Sequence, residues 1–505
     1  MKIKGILLTS CFVVSLLLSG CGGSKKKDSD GSDGPIEIDT SVPTEALGEY
    51  NITLWGSETS GVKELFEKQV DDFEALNPGL TINLTYEEVS EAQASAKVLQ
   101  DIDAAADLYC FAQDQFSDLV QGKALNQLGT AATAAVKANN DTGSVGAATS
   151  GDAVYAYPMT ADNGYFMFYD TSVIAANHLN SLEDIVADCE AAGRNFAMET
   201  STSAWYLASF FFGAGCVSEW TTDADGNFVN AKDDFNSAKG LVAMRGMQHL
   251  VKSDYYISSS SANEQFNAAT PAAVVVSGIW DYEDAVKALG ENLGIVELPS
   301  FKVDGNSYHM GSFAGYKLMG VKPSTDVKRL AVTTRLALYL TGEKCQEERF
   351  DAVSWGPSNK VVADLDKVQS NPALAALLAQ SAYAKPQGTI PGAWWDFAKT
   401  LGTVALNADQ DDTVALQAGL TSYGESVNEV LHPSEEPWYA LVGSFGDWGA
   451  GTSKAMTQEG SNWVITTDLD ANVEFKVCLV NSTSVVDWTY GASSATADRK
   501  STRLN

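Results

Sequence analysis

Residues 391–402 read PGAWWDFAKTLG, with two adjacent tryptophans behind a proline and a glycine. On a helix, neighbouring side chains point about 100° apart, so one core face does not easily take both rings. The expected solution is that one indole packs and the other stays free as a flat apolar platform. The residues leave open which ring takes which role, and burial of both is the structural alternative. A further tryptophan, Trp280, follows the apolar run AAVVVSG. It should therefore sit at the carboxyl end of a buried strand, the edge where open α/β sheets bind ligands. A core position between domains is its alternative. Plates of this kind hold a ligand and make no bonds. The four histidines (His178, His249, His309, His432) are scattered and no cysteines form a CxxC pair, so no metal site and no cofactor are expected.

The elements that must carry these residues follow from the pattern. NITLWGS reads as a strand, VKELFEKQVDDFEALNPG as an amphipathic helix stopped by Asn-Pro-Gly, and LTINLTYEEV and ADLYCFA as strands. Strands alternating with helices predict a parallel α/β sheet. AVYAYPMTADNGYFMFYD reads as strand, crossing, strand, and SAWYLASFFFGAG as an apolar helix. AVTTRLALYLTGEKCQEERFDA predicts one long helix, and further helices are expected up to about Leu431. From Trp438 the runs WYALVGSF, NWVITTDL and VEFKVCLV predict an antiparallel β module over 433–497.

The 505 residues carry a formal net charge of -32, which argues against nucleic acid or a polybasic membrane patch as partner. Cys189 and Cys216 are the one pair that could form a disulfide in an oxidising compartment. At the amino end, two lysines precede the apolar run Ile6–Leu18, a secretory leader over 1–20 and too short for a membrane span. Leu18-Ser19-Gly20-Cys21 resembles the lipobox of bacterial lipoproteins, which implies lipid on Cys21 and a protein held at the outer face of the cytoplasmic membrane. Residues 21–48 read as a flexible tether. The last eight, DRKSTRLN over 498–505, resemble the translation of a sequencing-adapter oligonucleotide. They are expected to be an artefact, with the natural chain continuing beyond Ala497.

The ordered set LWGSETSGVKELFEK, CFAQDQFSDLVQGKAL, YPMTADNGYFMFYD, FNAATPAAVVVSGIWDY, LPSF and IPGAWWDFAKTLG resembles the solute-binding proteins of ABC sugar importers, specifically the maltose/maltodextrin-binding branch. The resemblance spans about 49–432. It implies a two-lobed periplasmic-binding-protein-like fold with a hinge and an interlobe cleft. Lobe one would hold about 49–160 and 310–355, and lobe two about 165–305 and 362–432. It implies a monomer that captures malto-oligosaccharides by hinge closure and delivers them to permease subunits.

Glucose rings have apolar faces and hydroxyl edges, so their sites need aromatic plates and in-plane acceptors. By resemblance Trp395 is the stacking ring and Trp394 its packing partner. Trp280 is a second plate, with Tyr282 a weaker candidate. Asp162 and Asp114 are the hydroxyl acceptors. Phe111 stands where the family has a tryptophan. Trp205 and Tyr206 are aromatic candidates in lobe two. The family's arginine beside Asp114 is Gln115 here, and its lysine and aspartate after the first strand are not clearly preserved in GSETSG. The β module resembles starch-binding modules through its GSFGDW and WTYG runs, which makes Trp448 and Trp488 candidates for glucan. No hydrolase motif accompanies the many carboxylates, so an enzyme is not expected. A purely adhesive glucan-binding protein is the other alternative.

Overall fold

A computed structural model describes residue 36 and residues 38–223, 227–388, 390–432, 438–445, 448–459, 462–465, 467, 473–480 and 485–487. The leader with Cys21, the adapter-like tail and Trp488 lie outside the described residues.

Strand Glu49–Gly56 pairs in parallel with Thr81–Glu88 on one side and Leu108–Ala112 on the other. Parallel neighbours need a crossover, and helix Val62–Leu76 supplies the first. It buries Val62, Phe66, Val70 and Phe73 at helical spacing. The long strand Ser312–Val321 runs antiparallel to Leu108–Ala112 and to Tyr157–Gly164, and Ala384–Pro386 joins its first residues. These six strands form one sheet.

A second sheet has the order Tyr256–Ile257, Asn195–Ala197, Ala272–Ser277, Phe166–Asp170, Leu293–Val296. Its central strand, Ala272–Ser277, is buried at every residue, as a strand covered on both faces must be. The chain passes from the first sheet to the second through the single residue Tyr165. It returns between Val296 and Ser312 by way of the hairpin Ser300–Val303 and Asn306–His309. A third strand of chain lies beside these two, where Pro357 bridges Thr160 and the Gly356 N–H donates to the Asp162 carboxylate. The result is a two-lobed α/β molecule.

Many helices start where a side chain accepts the orphan N–H groups of the first turn; Asp326 caps Val327–Leu340, Asn371 caps Pro372–Ser381, and Asp412 caps Thr413–Leu431. The single long helix expected over 331–352 is broken in two. Val327–Leu340 ends at Thr341, and Gly342, with extended backbone at φ -76 and ψ 174, precedes Glu343–Val353.

In the C-terminal strands, the first and third expected runs pair directly, Trp438–Gly443 with Phe475–Val480. The middle run instead forms a separate hairpin, Thr457–Glu459 with Asn462–Val464. Glu474 accepts from the Gln100 amide at 2.7 Å, which ties this sheet to the first lobe. Cys189 and Cys216 are separate buried thiols. Among the described residues no helix is long and apolar enough to cross a membrane, and no cluster could hold a metal ion.

Candidate functional site

The two tryptophans settle their roles by geometry. Helix Gly392–Asn407 starts after Pro391, and the indoles of Trp394 and Trp395 stand at 87° to each other. Trp394 is fully buried. Its Nε1–H donates to the Tyr423 hydroxyl at 2.8 Å, and that hydroxyl donates to Asp233 at 2.6 Å. This relay pins the helix against Thr413–Leu431. Trp395 is half-buried and faces a cleft of about 2560 Å³, well above the roughly 300–1,000 Å³ of a small-molecule pocket.

Rings from two other elements, Trp205 and Phe313, meet Trp395. Trp205, on helix Ala204–Gly213, stacks on Phe313 at 5.0 Å and 15°, with its ring 6.2 Å from that of Trp395. The Tyr165 hydroxyl, at the crossing between sheets, donates to the Trp205 carbonyl at 2.8 Å. Tyr206 lines the same cleft but is 5 % exposed, so it contributes an edge and not a plate. Trp280 sits in the turn after Ala272–Ser277, half-buried and facing the cleft.

Beside Trp395, Asp114 accepts from the Gln387 amide at 2.7 Å, and Gln387 in turn accepts from Asn163 at 3.2 Å. Burial pushes the Asp114 carboxyl up to about 7, although hydrogen bonds from Gln387 and from the Trp395 side chain pull the other way. Asp118, one helical turn on, is pushed up to about 7 by burial and then by the charge of Asp114.

Four expected residues are placed elsewhere or at the rim. Phe111 is fully buried in a strand covered on both faces and cannot stack on a ligand. Asp162 is 2 % exposed, and its carboxylate accepts from the Gly356 N–H, so it ties two crossing segments together. Its neighbour Asn163 lines the cleft in its place. Tyr282 begins helix Tyr282–Leu289 and packs against the core of the first sheet, outside the cleft lining. Trp448, at φ 59, packs on the small core of the C-terminal strands and reaches the cleft's outer rim. Gln115 donates to the Glu91 carbonyl and accepts from the Ser95 N–H, a structural role.

Sequence reasoning missed Trp55, Glu91, Lys317 and Gln387, all of which line the cleft. Trp55 carried a usable signal, since it lies at the carboxyl end of the first strand, next to its last residue Gly56, as Trp280 follows its own. Gln387 carried none, because only the fold brings it to Asp114.

A family model described as bacterial extracellular solute-binding protein matches residues 68–376. The galactooligosaccharide-binding protein of Bacillus subtilis (strain 168) is 30% identical over 157 residues, which is 30% of this chain. That match spans 36% of the relative's length. Among solved structures, one determined with acarbose has a TM-score of 0.65 at 25% identity, covering 75% of this chain and 100% of the other. The maltodextrin-binding protein MalE1 of L. casei BL23 superposes with a TM-score of 0.61 at 23% identity over 76% and 99% of the two chains. The Thermus thermophilus maltotriose-binding protein does so with 0.62 at 19% over 74% and 100%. With the family model covering more than half of its length, the chain belongs to the bacterial extracellular solute-binding proteins.

Proposed function

We propose that this protein is a membrane-anchored binding lipoprotein that captures malto-oligosaccharides in its interlobe cleft and delivers them to an ABC permease. One observation carries the reading: Trp205, Trp280 and Trp395, from three separate elements, line one cleft together with Asp114. Spaced plates with a carboxylate beside them suit several linked hexose rings, whose apolar faces stack while their edges donate hydrogen bonds. The names of the superposable solved structures support an α-glucan. The crossings at Tyr165 and between Val296 and Ser312 are suited to act as hinges, and closure of the lobes around the sugar is the mechanism. Lipid on Cys21 would hold the protein at the membrane, and Trp448 would offer glucan a second contact. The tether is confined to the residues before Ile36 and does not extend over all of 21–48, because Val42 and Ala46 are buried in the core of the first lobe and the Ile36 and Val42 N–H groups donate to Asn139 and Asn77.

The test is a titration of the chain from Gly22 with maltose, maltotriose and longer maltodextrins, followed by tryptophan fluorescence. Saturation at one-to-one, abolished in Trp395→Ala and Trp280→Ala, is expected. Absence of any response to α-glucans sinks the reading. A second reading, a galacto-oligosaccharide ligand, is favoured by the 30% identical relative. A response confined to those sugars would select it.

A further inference from the structure

Under Trp280 the cleft floor holds a charged pair that the fold leaves incomplete. Lys317 Nζ stands 3.5 Å from Glu91 Oε1, and both side chains are more than nine-tenths buried. The ammonium lies 5.3 Å from the Trp280 ring and 4.8 Å from the Trp355 ring. Glu91 Oε1 is buried without a hydrogen bond, as is the Trp355 indole nitrogen, among the described residues. Both Lys317 and Glu91 line the cleft.

Burying two charges is costly, and their attraction repays it only when the remaining lone pairs and protons are satisfied. Lysine has three N–H donors and a carboxylate has two oxygens that each accept more than one. Here a single long contact joins them. Unsatisfied buried polar groups in a native fold require an explanation.

The backbone places the pair deliberately. Glu91 is fixed through its carbonyl, which accepts from the Ala112 N–H at 3.0 Å and from the Gln115 side chain. Lys317 lies where the pairing of Ser312–Val321 with Tyr157–Gly164 slips register, on both sides of the residue. Such irregularities re-aim a side chain next to a site. The other lysines on the lining are more exposed, and two of them are bound to neighbouring carboxylates, Lys97 to Glu87 and Lys399 to Asp396.

We propose that Lys317 and Glu91 form a specificity-determining donor–acceptor pair, which reads two adjacent hydroxyls on the hexose ring stacked over Trp280. One hydroxyl oxygen accepts from the Lys317 ammonium. The neighbouring hydroxyl donates to Glu91. The ligand completes the pair, so the configuration of those two carbons is selected along with the flat face. The assignment rests on the proposed sugar-binding reading.

The experiment is calorimetry on the chain from Gly22, with Lys317→Met and Glu91→Gln beside it, using maltotriose and its monodeoxy analogues. Thermal melting checks that each variant is folded. The parent should lose about 10- to 100-fold in affinity for the analogue lacking a read hydroxyl, the range for a hydrogen bond to a charged group. Each variant should bind maltotriose about that much more weakly and no longer distinguish the analogue. Should Lys317→Met fail to fold, Glu91→Gln carries the same comparison. Variants that keep the parent's affinity and discrimination overturn this inference alone. A parent that binds no maltodextrin overturns the sugar reading, and this inference falls with it.

Discussion

At the scale of residues, the adjacent tryptophans separate stability from binding. Trp394 is fully buried and gives its indole proton to Tyr423. Trp394→Ala should cost about 3–5 kcal/mol of stability, the range for a large aromatic removed from a core, read by denaturant unfolding. Trp395→Ala should leave the melting temperature nearly unchanged while weakening sugar binding about 30-fold or more. Equal destabilisation by both would contradict the division. Asp114 and Asp118 make a second residue-level prediction. Their folded carboxyls are pushed up to about 7, against an unfolded value near 4. The folded state therefore prefers the proton, so this contribution is fully present below about pH 4 and lost as pH rises through about 7. In Asp114→Asn part of that slope disappears. The melting temperature of the parent relative to the variant should fall between about pH 4 and 7, and a flat difference would refute it.

At the scale of elements, the plates are aimed by the turns that carry them. A Cβ built on Gly278 would lie 2.3 Å from the Trp280 ring, so the indole folds back across that glycine. Gly278→Ala should displace the ring and weaken binding about tenfold with little change in melting temperature. Unaltered affinity would mean that Trp280 does not stack on the ligand. The sequence made such elements legible wherever apolar spacing was regular, as in Val62–Leu76 and Ala272–Ser277. It misled where context decided. Phe111 sits in a strand covered on both faces, and a local pattern cannot say which face meets the cleft. Asp162 has the expected place in the crossing segment, yet it turns toward Gly356 instead of the cleft. Lys317 and Gln387 reach the site only through long-range pairing of Ser312–Val321 with Leu108–Ala112 and Ala384–Pro386, which no local spacing encodes.

At the scale of the whole molecule, two sheets are joined at Tyr165 and between Val296 and Ser312, and the chain crosses once more between Pro386 and Gly392, so the lobes can move as bodies about short connections. Saturating maltotriose should reduce the radius of gyration measured by small-angle scattering, and an unchanged value would argue against closure. Replacing Cys21 by Ser should release the protein from the membrane fraction; retention there would remove the lipid anchor from the account. The central claim, that this cleft binds α-linked glucose chains, is tested most directly by calorimetric titration of the same chain with maltotriose and, in parallel, with a galacto-oligosaccharide. The account predicts one-to-one saturation by maltotriose and much weaker heats with the galactoside. Saturation by the galactoside alone would contradict it.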